Sequence, residues 1–456
     1  MGKPEIRFKG YTDEWEQRKL NDWGNFYYGR SCPKWSVTED ATIPCIRYGE
    51  LYTKFGAKID RVYSYTNMPP ENLRFSKGTE VLIPRVGEDP MDYNHCTWLS
   101  MQDVAIGEMI SVFNTDNNPL FTATMFNATL KNEFAMRVEG GSVTNLYFEK
   151  LKNIEVSFPS IPEQEKIASY FENLDHLITL HQRKYDEVKS LKKYMLQKMF
   201  PQNEQKVPEI RFEGFTEAWE QRKLKDFVDK AVDNRGKTPP LDDNGTHPLI
   251  EVAALGGVHP DYSKIEKYLN DDSFENNLRA YIKEGDILFT TVGSIGLVSL
   301  MDSREEAAIA QNIVAFRAKE NFNPEYLYAL FSNEDNQCKA TRIVMGAVQP
   351  SIKVSQLVDV EYMLTTNEEE QKKIGAYFSN LDTLITLHQR KPISHLNHST
   401  THTKHKGEEK YVRIRVNDRE KTNRTVNLRR FPVDIQGGFK DGGGSVGEFQ
   451  IYSGAE

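Results

Sequence analysis

The chain has 456 residues, of which 38% are apolar and 11% aromatic, and this length is enough for two globular domains. No stretch of about 18 uncharged apolar residues occurs, so the sequence excludes an ordinary membrane-spanning helix. Because no secretory signal opens the chain, we expect a cytoplasmic protein. The net charge of −8 argues against a uniformly basic nucleic-acid-binding protein, although a basic groove can lie on an acidic body.

The cysteines give no sign of a metal centre or a disulfide framework. Cys32, Cys45, Cys96 and Cys338 are far apart and form no Cys-x-x-Cys pair. Closely spaced pairs are typical of structural zinc sites, and short secreted chains with many cysteines are typical of disulfide scaffolds. We therefore expect all four side chains to be buried thiols.

The first element along the chain is an opening segment that occurs twice. Residues 4–20 read PEIRFKGYTDEWEQRKL and residues 208–224 read PEIRFEGFTEAWEQRKL, with 13 of 17 positions identical. The second copy begins 204 residues after the first. A doubled segment at this separation predicts two modules of similar length.

Between the repeated segments, two dissimilar stretches keep faint landmarks in the same order. KGTEVLIPRVG at 77–87 corresponds to EGDILFTTVG at 284–293, and both predict a turn followed by an apolar strand. NPLFTATMF at 118–126 corresponds to NPEYLYALF at 323–331, where Asn-Pro predicts the start of a helix. We therefore predict that the two stretches share a fold and differ in their surface residues.

A second repeated segment predicts a long amphipathic helix. QEKIASYFENLDHLITLHQRK at 164–184 and QKKIGAYFSNLDTLITLHQRK at 371–391 share 16 of 21 residues. From about Pro162 to Phe200 the apolar spacing is that of a coiled-coil stripe, and such a helix is roughly 55 Å long. A helix buried within one domain is the alternative; a spacer that pairs with its own repeat is the preferred interpretation. The stripe positions are Ile167, Phe171, Leu174, Ile178, Tyr185 and Val188 in the first copy and Ile374, Phe378, Leu381 and Ile385 in the second.

The second copy of this helix departs from the first after Lys391. Residues 392–456 are polar, rich in histidine and then rich in glycine, a composition typical of poorly ordered chain. Their histidines, with no cysteine or carboxylate ligand pattern beside them, make a weak case for a metal site. We therefore predict a shortened second helix and no bound metal. The histidines in question are His395, His398, His402 and His405.

No catalytic centre is predicted from the sequence. Residues 236–238 (GKT) resemble the end of a phosphate-binding loop, but Ala231 stands where that loop needs glycine, and two prolines follow instead of a helix. The metalloprotease pattern His-Glu-x-x-His does not occur. Glu163 and Glu165 lie at a predicted helix start, where acidic side chains favour the helix dipole, so we interpret them as capping residues.

Basic and polar residues in turn-like settings are the candidates for a binding surface. Residues 27–35 (YYGRSCPKW) and 233–240 (DNRGKTPP) are corresponding loops that carry arginine or lysine and proline. Arginine suits guanine edges, glutamine suits adenine and lysine suits phosphate. A solvated surface residue is the simpler interpretation of each one alone, and recurrence at matching places favours the group. The candidates are Arg30, Lys34, Arg47, Tyr48, Lys54, Arg85, Arg235, Lys237, Thr238, Arg279, Thr290, Thr291, Gln349, Ser351 and Lys353.

The doubled openings, the dissimilar stretches between them and the repeated helices together resemble the specificity subunit of type I restriction-modification systems. The resemblance covers residues 4–391, and its most specific marker is the PEQEKIA helix start. It implies an α+β fold in which two pseudo-repeated α/β target recognition domains are joined by long spacer helices that form an antiparallel coiled coil. Each recognition domain is expected to bind one half of a split site in double-stranded DNA, with the helices setting the spacing and docking partner subunits.

The same resemblance implies a division into domains and a set of partners. Two methylation subunits and, through them, motor-nuclease restriction subunits are the expected partners. S-adenosylmethionine, ATP and Mg²⁺ are expected on those partners and no cofactor on this chain, which is expected to be non-catalytic. The shortened second helix is expected to weaken docking of the methylation subunits. The expected domains are a first recognition domain at 1–160, a spacer helix at 161–206, a second recognition domain at 207–367, a truncated spacer helix at 368–391 and an atypical polar tail at 392–456.

Two other functions remain as alternatives. A stand-alone site-specific endonuclease would need a metal-binding carboxylate cluster, which the sequence does not show. A coiled-coil scaffold with two protein-binding domains would not bind DNA, whereas binding through phosphates depends steeply on salt concentration.

Overall fold

The computed structural model describes residues 7–202, 205–234, 239–344, 346 and 350–389, together with the backbone of residues 414–416. Contacts divide the chain into two compact units, Met1–Thr179 and Leu180–Glu456, which we call the first and second units. The division falls within the long helix, so the domain boundaries expected from the sequence stay a prediction. Apart from residues 414–416, the polar tail and its four histidines lie outside the described residues.

The first unit consists of short strands, five short helices and the beginning of one very long helix. Its strands are β1 Glu16–Lys19, β2 Gly24–Tyr28, β3 Ile43–Ile46, β4 Lys58–Ile59, β5 Ser64–Thr66, β6 Phe75–Lys77, β7 Glu80–Pro84, β8 Val86–Gly87, β9 Thr97–Leu99, β10 Gln102–Ile106, β11 Ile110–Thr115, β12 Glu139–Gly140, β13 Thr144–Asn145 and β14 Glu155–Phe158. Its helices are α1 Leu20–Trp23, α2 Tyr48–Thr53, α3 Pro119–Thr129, α4 Lys131–Ala135, α5 Phe148–Leu151 and the start of α6 Ile161–Lys198.

The second unit begins within α6 and repeats the main elements of this order with fewer strands. Its strands are β15 Ile210–Phe212, β16 Glu220–Lys223, β17 Val228–Asp233, β18 His247–Ile250, β19 Tyr268–Leu269, β20 Ile287–Thr290, β21 Val298–Leu300, β22 Ala308–Ile309, β23 Ile313–Ala318, β24 Glu361–Leu364 and β25 Ile414–Val416. Its other helices are α7 Leu224–Phe227, α8 Asp271–Asn277, α9 Pro324–Ser332, α10 Glu334–Thr341, α11 Val354–Leu357 and α12 Glu368–Gln389.

The largest sheet has the same order of equivalent strands in both units. The order is β2-β11-β7-β9-β4 in the first unit and β17-β23-β20-β21 in the second. The landmarks seen in the sequence lie on equivalent strands, since KGTEVLIPRVG contains β7 and EGDILFTTVG contains β20. Both Asn-Pro segments begin a helix, α3 and α9, with the asparagine side chain accepting a hydrogen bond from the third helical N–H. The predicted shared fold is therefore confirmed.

A smaller sheet is also repeated, and it contains a parallel pair in each unit. Strand β3 runs parallel to β10 with Cys45 opposite Ala105, and β18 runs parallel to β22 with Leu249 opposite Ala308. An antiparallel neighbour flanks each pair, β5 beside β3 and β19 beside β18. The two dissimilar stretches therefore agree in topology even where their sequences share no obvious pattern.

The repeated opening segment closes each unit on itself. Strand β1 pairs with β14, the strand just before α6, and β16 pairs in the same register with β24, the strand just before α12. Trp15 and Trp219 precede the two strands and pack edge to face on equivalent aromatic residues, Phe121 of α3 and Tyr326 of α9. Identical residues are thus kept where the strand of each opening segment meets the strand just before the long helix.

An arginine–glutamate pair ties each opening segment to its long helix. Arg7 Nε and Nη2 donate to Glu163 Oε1 and Oε2 at 2.6 and 2.7 Å, and Arg211 donates to both oxygens of Glu370 at 2.6 and 2.9 Å. The Glu163 and Glu370 side chains are 1% and 0% exposed. Bidentate pairs of this kind are strong and geometrically specific. The capping interpretation of Glu163 is therefore incomplete, because its carboxylate holds Arg7.

A glutamine next to each glutamate ties the long helix to the Asn-Pro helix. Gln164 Oε1 accepts the N–H of Asn118, the residue before α3, at 2.9 Å. Gln371 Oε1 accepts the N–H of Asn323, the residue before α9, also at 2.9 Å. The two repeated segments therefore form one hydrogen-bonded frame around each dissimilar stretch.

The long helix α6 has 38 residues, and α12 has 22 within the described residues, which end at Gln389. The shortening of the second helix stays a prediction. Within the second unit, the part of α6 after Thr179 runs antiparallel to α12: His181 lies beside His388, and Phe200 beside Phe378. The predicted antiparallel pairing of the repeated helices is confirmed for this part. Among the predicted stripe positions, Ile374, Phe378 and Leu381 are buried, Ile167, Leu174, Tyr185, Val188 and Ile385 are half-buried, and Phe171 and Ile178 are exposed.

The cysteines follow the expectation in three cases of four. Cys32, Cys45 and Cys96 are buried, whereas Cys338 on α10 is exposed, so the prediction of a buried thiol is wrong there. Burial raises the pKa of the Cys96 thiol. Cys32 and Cys45 share a small apolar cluster with Leu73 in the first unit.

Candidate nucleic-acid interface

The loop after β2 carries Arg30 and Lys34, and both side chains are exposed. The Arg30 N–H donates to the carbonyl of Ile106 at 2.7 Å, which fixes the loop to the small sheet. Ser31 and Cys32 have φ angles of 62° and 65°, a left-handed conformation that is costly outside glycine. Packing against the sheet holds this strained loop, and with it the two cationic side chains, at the sheet edge.

The turn after β3 brings a second group of predicted residues to the same place. Strand β3 leads directly into Arg47 and helix α2, whose first residue, Tyr48, is 37% exposed. Gly107 lies between this turn and the loop after β2, because a Cβ there would be 3.7 Å from both Arg47 Cα and the Ser31 carbonyl oxygen. The structure therefore brings the backbones that carry Arg30 and Arg47 together at one end of the small sheet.

Helix α2 ends beside an exposed basic–aromatic cluster, which we define as Lys54, Arg61 and Tyr63. Lys54 Nζ lies 5.8 Å and Arg61 Cζ 5.7 Å from the centroid of the Tyr63 ring, which is 47% exposed. Neither cation has a carboxylate partner within the described part of the chain. Unpaired cations can contact phosphates, and an exposed ring can stack on a base. The cluster therefore has the chemistry of a nucleic-acid contact.

Two further aromatic side chains adjoin this surface. Trp35 and Tyr65 are 72% and 42% exposed. Thr66 Oγ1 donates to Ser36 Oγ at 2.8 Å, so the loop that carries Trp35 lies against strand β5, which contains Tyr65. Exposed rings of this size on one surface of a unit are characteristic of binding sites rather than of inert surface.

Arg85 is half-buried and packed among aromatic rings. Its Cζ lies 4.6 Å from the ring centroid of Tyr28 and 5.3 Å from that of Tyr147, and its Nη1 donates to the Glu108 carbonyl at 3.4 Å. Burial, reinforced by a hydrogen bond to Glu149, raises the pKa of Tyr28 to about 12, so this phenol is neutral at physiological pH. These contacts favour a packing role for Arg85, and its contact with DNA stays a prediction.

Thr290 and Thr291 are placed differently from the prediction. Both are 0% exposed. Thr290 Oγ1 donates to the Ser294 carbonyl at 2.5 Å, and Thr291 Oγ1 donates to the Asn312 carbonyl at 3.1 Å. All four residues of β20 are buried, so side chains on both faces of this strand are covered. Both hydroxyl groups are buried and donate their protons within the protein. The prediction that Thr290 and Thr291 contact DNA is therefore wrong.

Ser351 and Lys353 lie in the part of the second unit that is equivalent to the β8–β13 pair of the first unit. Ser351 forms a β-bridge with Val292, and the exposed Lys353 comes just before α11. In the first unit β8 and β13 pair at the equivalent place, and there Tyr147, which packs on Arg85, stands where the second unit has Lys353. The backbone arrangement is the same and the side chains differ.

Arg279 is exposed in the turn after α8. Its equivalent in the first unit, Arg74, was not among the predicted candidates. NLR at 277–279 repeats NLR at 72–74, so Arg279 corresponds to Arg74. Arg74 is exposed, and its Cζ lies 4.9 Å from the ring centroid of Tyr27. The three-residue repeat was a usable signal for an equivalent arginine in each unit.

Sequence reasoning also missed Arg61, Trp35 and Tyr63. Their grouping depends on strand pairing and on hydrogen bonds between distant loops, which leave no periodic trace in the sequence. Four other predicted residues, Arg235, Lys237, Thr238 and Gln349, lie outside the described residues.

Within the described ranges, no cluster of three or more metal-ligating side chains is present. The helices in the same ranges include none with the length and apolarity needed to cross a bilayer. The surface described above offers exposed cations and aromatic rings.

Two copies of one α+β module, each with its own exposed basic residues and held by an identical frame, define a duplicated recognition protein. Residues 12–190 and 216–395 each match the family described as type I restriction modification DNA specificity domain. The chain belongs to this family and carries two copies of its domain.

Known relatives agree with this assignment. The chain is 24% identical over 276 residues to the type I restriction enzyme MjaVIII specificity subunit of Methanocaldococcus jannaschii, covering 58% of this chain and 64% of that protein. It is 30% identical over 176 residues to the putative type I restriction enzyme MjaX specificity subunit of the same organism, covering 37% and 40%. The chain thus spans less than two thirds of the length of these curated relatives.

A solved structure shares the fold. The S subunit of a type I restriction-modification system from M. genitalium superposes with a TM-score of 0.56 and 12% identity, covering 85% of this chain and 94% of that one. At this identity the likeness shows a common fold.

Proposed function

We propose that this chain is the DNA-specificity subunit of a type I restriction-modification complex, in which each unit binds one half of a bipartite site in double-stranded DNA. The observation that carries the proposal is that equivalent strands and loops carry different surface residues in the two units. A shared backbone places two contact surfaces in the same way on their half-sites, and different side chains let those half-sites differ in sequence.

In the first unit, the proposed contact surface is the end of the small sheet with the basic–aromatic cluster. Arg30, Lys34 and the cations of the cluster supply phosphate or base-edge contacts, and Trp35 and Tyr63 supply apolar area and stacking. The net charge of −8 does not oppose this role, because the acidic residues need not lie on the contact surface.

In the second unit, the proposed surface includes Arg279, Ser351 and Lys353, together with the predicted residues that lie outside the described ranges. Joining two such modules by a helix makes the second DNA contact intramolecular, which raises affinity without new chemistry. The length of α6 then sets the separation of the half-sites.

The proposed partners are two methylation subunits, docked on the spacer helices, and restriction subunits held through them in the cytoplasm. S-adenosylmethionine, ATP and Mg²⁺ belong to those partners, so the chain itself is non-catalytic. The family assignment supports this division of labour, because the domain that matches twice is described as a DNA specificity domain.

Selection of duplexes from a random library by the purified full chain tests the proposal. We expect enrichment of two short conserved blocks at a fixed spacing, and binding that weakens steeply as salt rises. The combined variant Lys54→Ala and Arg61→Ala should weaken binding by about tenfold and disturb one block only. Lys372→Ala, an exposed lysine of α12, is the matched control and should bind like the parent chain.

The outcomes also separate the alternatives. Cleavage of the selected duplex by the chain with Mg²⁺ alone would indicate an endonuclease, and the absence of salt-dependent binding would indicate a scaffold. A single continuous block, or a Lys54 and Arg61 variant that changes both blocks equally, would contradict two separate readers.

A further inference from the structure

The part of α6 in the first unit presents an apolar face to solvent. We call Phe171, Leu174 and Ile178 the α6 stripe; Phe171 and Ile178 are 42% and 52% exposed, and Leu174 is half-buried. Leu177 on the same part of the helix is 50% exposed. Large apolar side chains grouped on one face of a helix are characteristic of an interaction surface.

The second unit shows what covers the equivalent face of α12. Phe378 and Leu381, which correspond to Phe171 and Leu174, are 1% and 6% exposed. They pack in one apolar cluster with residues from the end of α6 and from the two positions after it, namely Met195, Leu196, Met199 and Phe200. The Phe200 and Phe378 rings stack with centroids 6.0 Å apart.

A contact between repeat-equivalent residues fixes the relation between the two helices. His181 and His388 occupy the same position in the two repeats, and their Nδ1 atoms are 3.1 Å apart. When equivalent residues of antiparallel helices meet, a local two-fold axis passes between them. The residues after His181 cover the residues before His388. By the same two-fold symmetry, a segment after His388 is the one expected to cover the residues before His181, which include the α6 stripe.

The chain does not supply that cover in its sequence. Counting 207 residues on from 185–200, the equivalent segment is 392–407, which reads PISHLNHSTTHTKHKG. At the positions equivalent to Met195, Met199 and Phe200 it has histidine, lysine and glycine. An apolar helical face cannot be built from these residues.

A charged residue on the same part of α6 repeats the argument. Asp382 accepts an ion pair from Lys192 at 2.5 Å, with side chains 8% and 16% exposed. Its equivalent is Asp175, which is exposed and has no cationic partner among the described residues; partial desolvation raises its pKa. Beside the apolar residues of the α6 stripe there is therefore a carboxylate, Asp175, that is suited to form an ion pair with a lysine of a covering helix, as Asp382 does with Lys192.

We propose that the α6 stripe binds a helix from another polypeptide whose face resembles residues 185–200. That helix carries methionine, leucine or phenylalanine at steps of three and four and a lysine opposite Asp175. A second copy of this chain is a poor source, because its own segment already covers Phe378. The inference rests on the docking role of the spacer helices in the proposed function and names the chemistry of the partner.

The probe is a labelled synthetic peptide of residues 182–202, titrated with the full chain and followed by fluorescence anisotropy. We expect saturable binding that Phe171→Asp weakens by at least about tenfold, since a charge would be buried in an apolar contact. Leu387→Asp, at a residue of α12 that is 51% exposed and off the stripe, is the matched control and should bind the peptide unchanged. Phe171 is exposed, so this variant should keep its fold, which circular dichroism checks.

A charge exchange tests the register. A peptide with Lys192→Glu should bind the parent chain weakly, and binding should recover with the Asp175→Lys variant. The proposal fails if the peptide does not bind saturably, if Phe171→Asp leaves binding unchanged, or if the exchanged pair does not recover. Self-association of the chain that is lost in Phe171→Asp would assign the face to a second copy and also overturn the proposal. DNA selection does not depend on the peptide, so failure here is distinguishable from failure of the proposed function.

Discussion

The second unit buries the apolar face of its spacer helix, whereas the first unit leaves the equivalent face exposed, although the two helices share 16 of 21 residues. Nearly the same local sequence therefore has two different environments. The difference comes from residues 185–200, part of which covers the apolar face of α12. The sequence after Lys391, at the equivalent place behind the second repeat, does not resemble this segment. An amphipathic pattern predicts that a face can be buried, and the presence of a covering segment decides whether it is.

The largest expected effect comes from truncating the equivalent phenylalanines. Phe378→Ala should lower the free energy of unfolding by about 3–5 kcal/mol, because it opens a cavity beside Phe200. Phe171→Ala should change it by less than about 0.5 kcal/mol, since that residue is 42% exposed and belongs to no buried apolar cluster of the described chain. Urea unfolding of both variants measures the two losses. Equal losses would show that the two faces are equally covered in solution.

The buried arginine–glutamate pairs give the next effect. Arg211→Ala should cost about 3 kcal/mol, because Glu370 would stay buried without its partner. Arg7→Ala should cost less, because the Arg7 side chain is 12% exposed against 6% for Arg211. Thermal unfolding compares the two. The double variant Arg211→Met with Glu370→Leu should recover most of the loss, and no recovery would indicate that more than the lone charge is at fault.

Two adjacent lysines distinguish the buried helix contact from an ordinary surface pair. Lys192→Met should destabilise the second unit by about 2 kcal/mol, since Asp382 is 8% exposed and would lose its cation. Lys193→Met is the internal control and should cost less than about 0.5 kcal/mol, because its pair with Glu334 is exposed on both sides. Denaturant midpoints measured side by side provide the test, and the idea fails if Lys193→Met is the more damaging change.

The smallest effect is a pH dependence confined to the helix pair. Partial burial, with His181 and Lys184 nearby, lowers the pKa of His388, so the unfolded chain binds a proton more readily than the folded one. Stability linked to this group is therefore fully present above the ordinary histidine pKa and is lost as the pH falls from there through the lowered pKa of the folded state.

Unfolding followed between about pH 7.5 and pH 5.5 should show a loss of at most about 0.5 kcal/mol, because the site is largely solvated. His388→Gln should remove this loss, and His176→Gln, on the part of α6 in the first unit, should not. A pH dependence that persists in His388→Gln would place its origin elsewhere.

The frame could be predicted from the sequence, and the contact surface only in part. The repeated segments located both long helices and the Asn-Pro helices, because helix periodicity and N-cap residues are local signals. The burial of Thr290 and Thr291 was missed, since a strand end looks the same in sequence whether one face or both are covered. The basic–aromatic cluster was missed because its members meet only through non-local strand pairing. The role of Glu163 needed its distant partner, Arg7.

The frame also places a demand on how the chain folds. The partners Arg7 and Glu163 are 156 positions apart, and Arg211 and Glu370 are 159 apart. Both pairs consist of an arginine and a glutamate. Side-chain chemistry alone therefore does not prevent Arg7 from pairing with Glu370 during folding. Loop entropy penalises the longer closure only weakly. Synthesis from the N-terminus removes the ambiguity, because the first closure can form before the second helix has left the ribosome. Refolding from denaturant lacks that order, so we expect exchanged closures among its misfolded products.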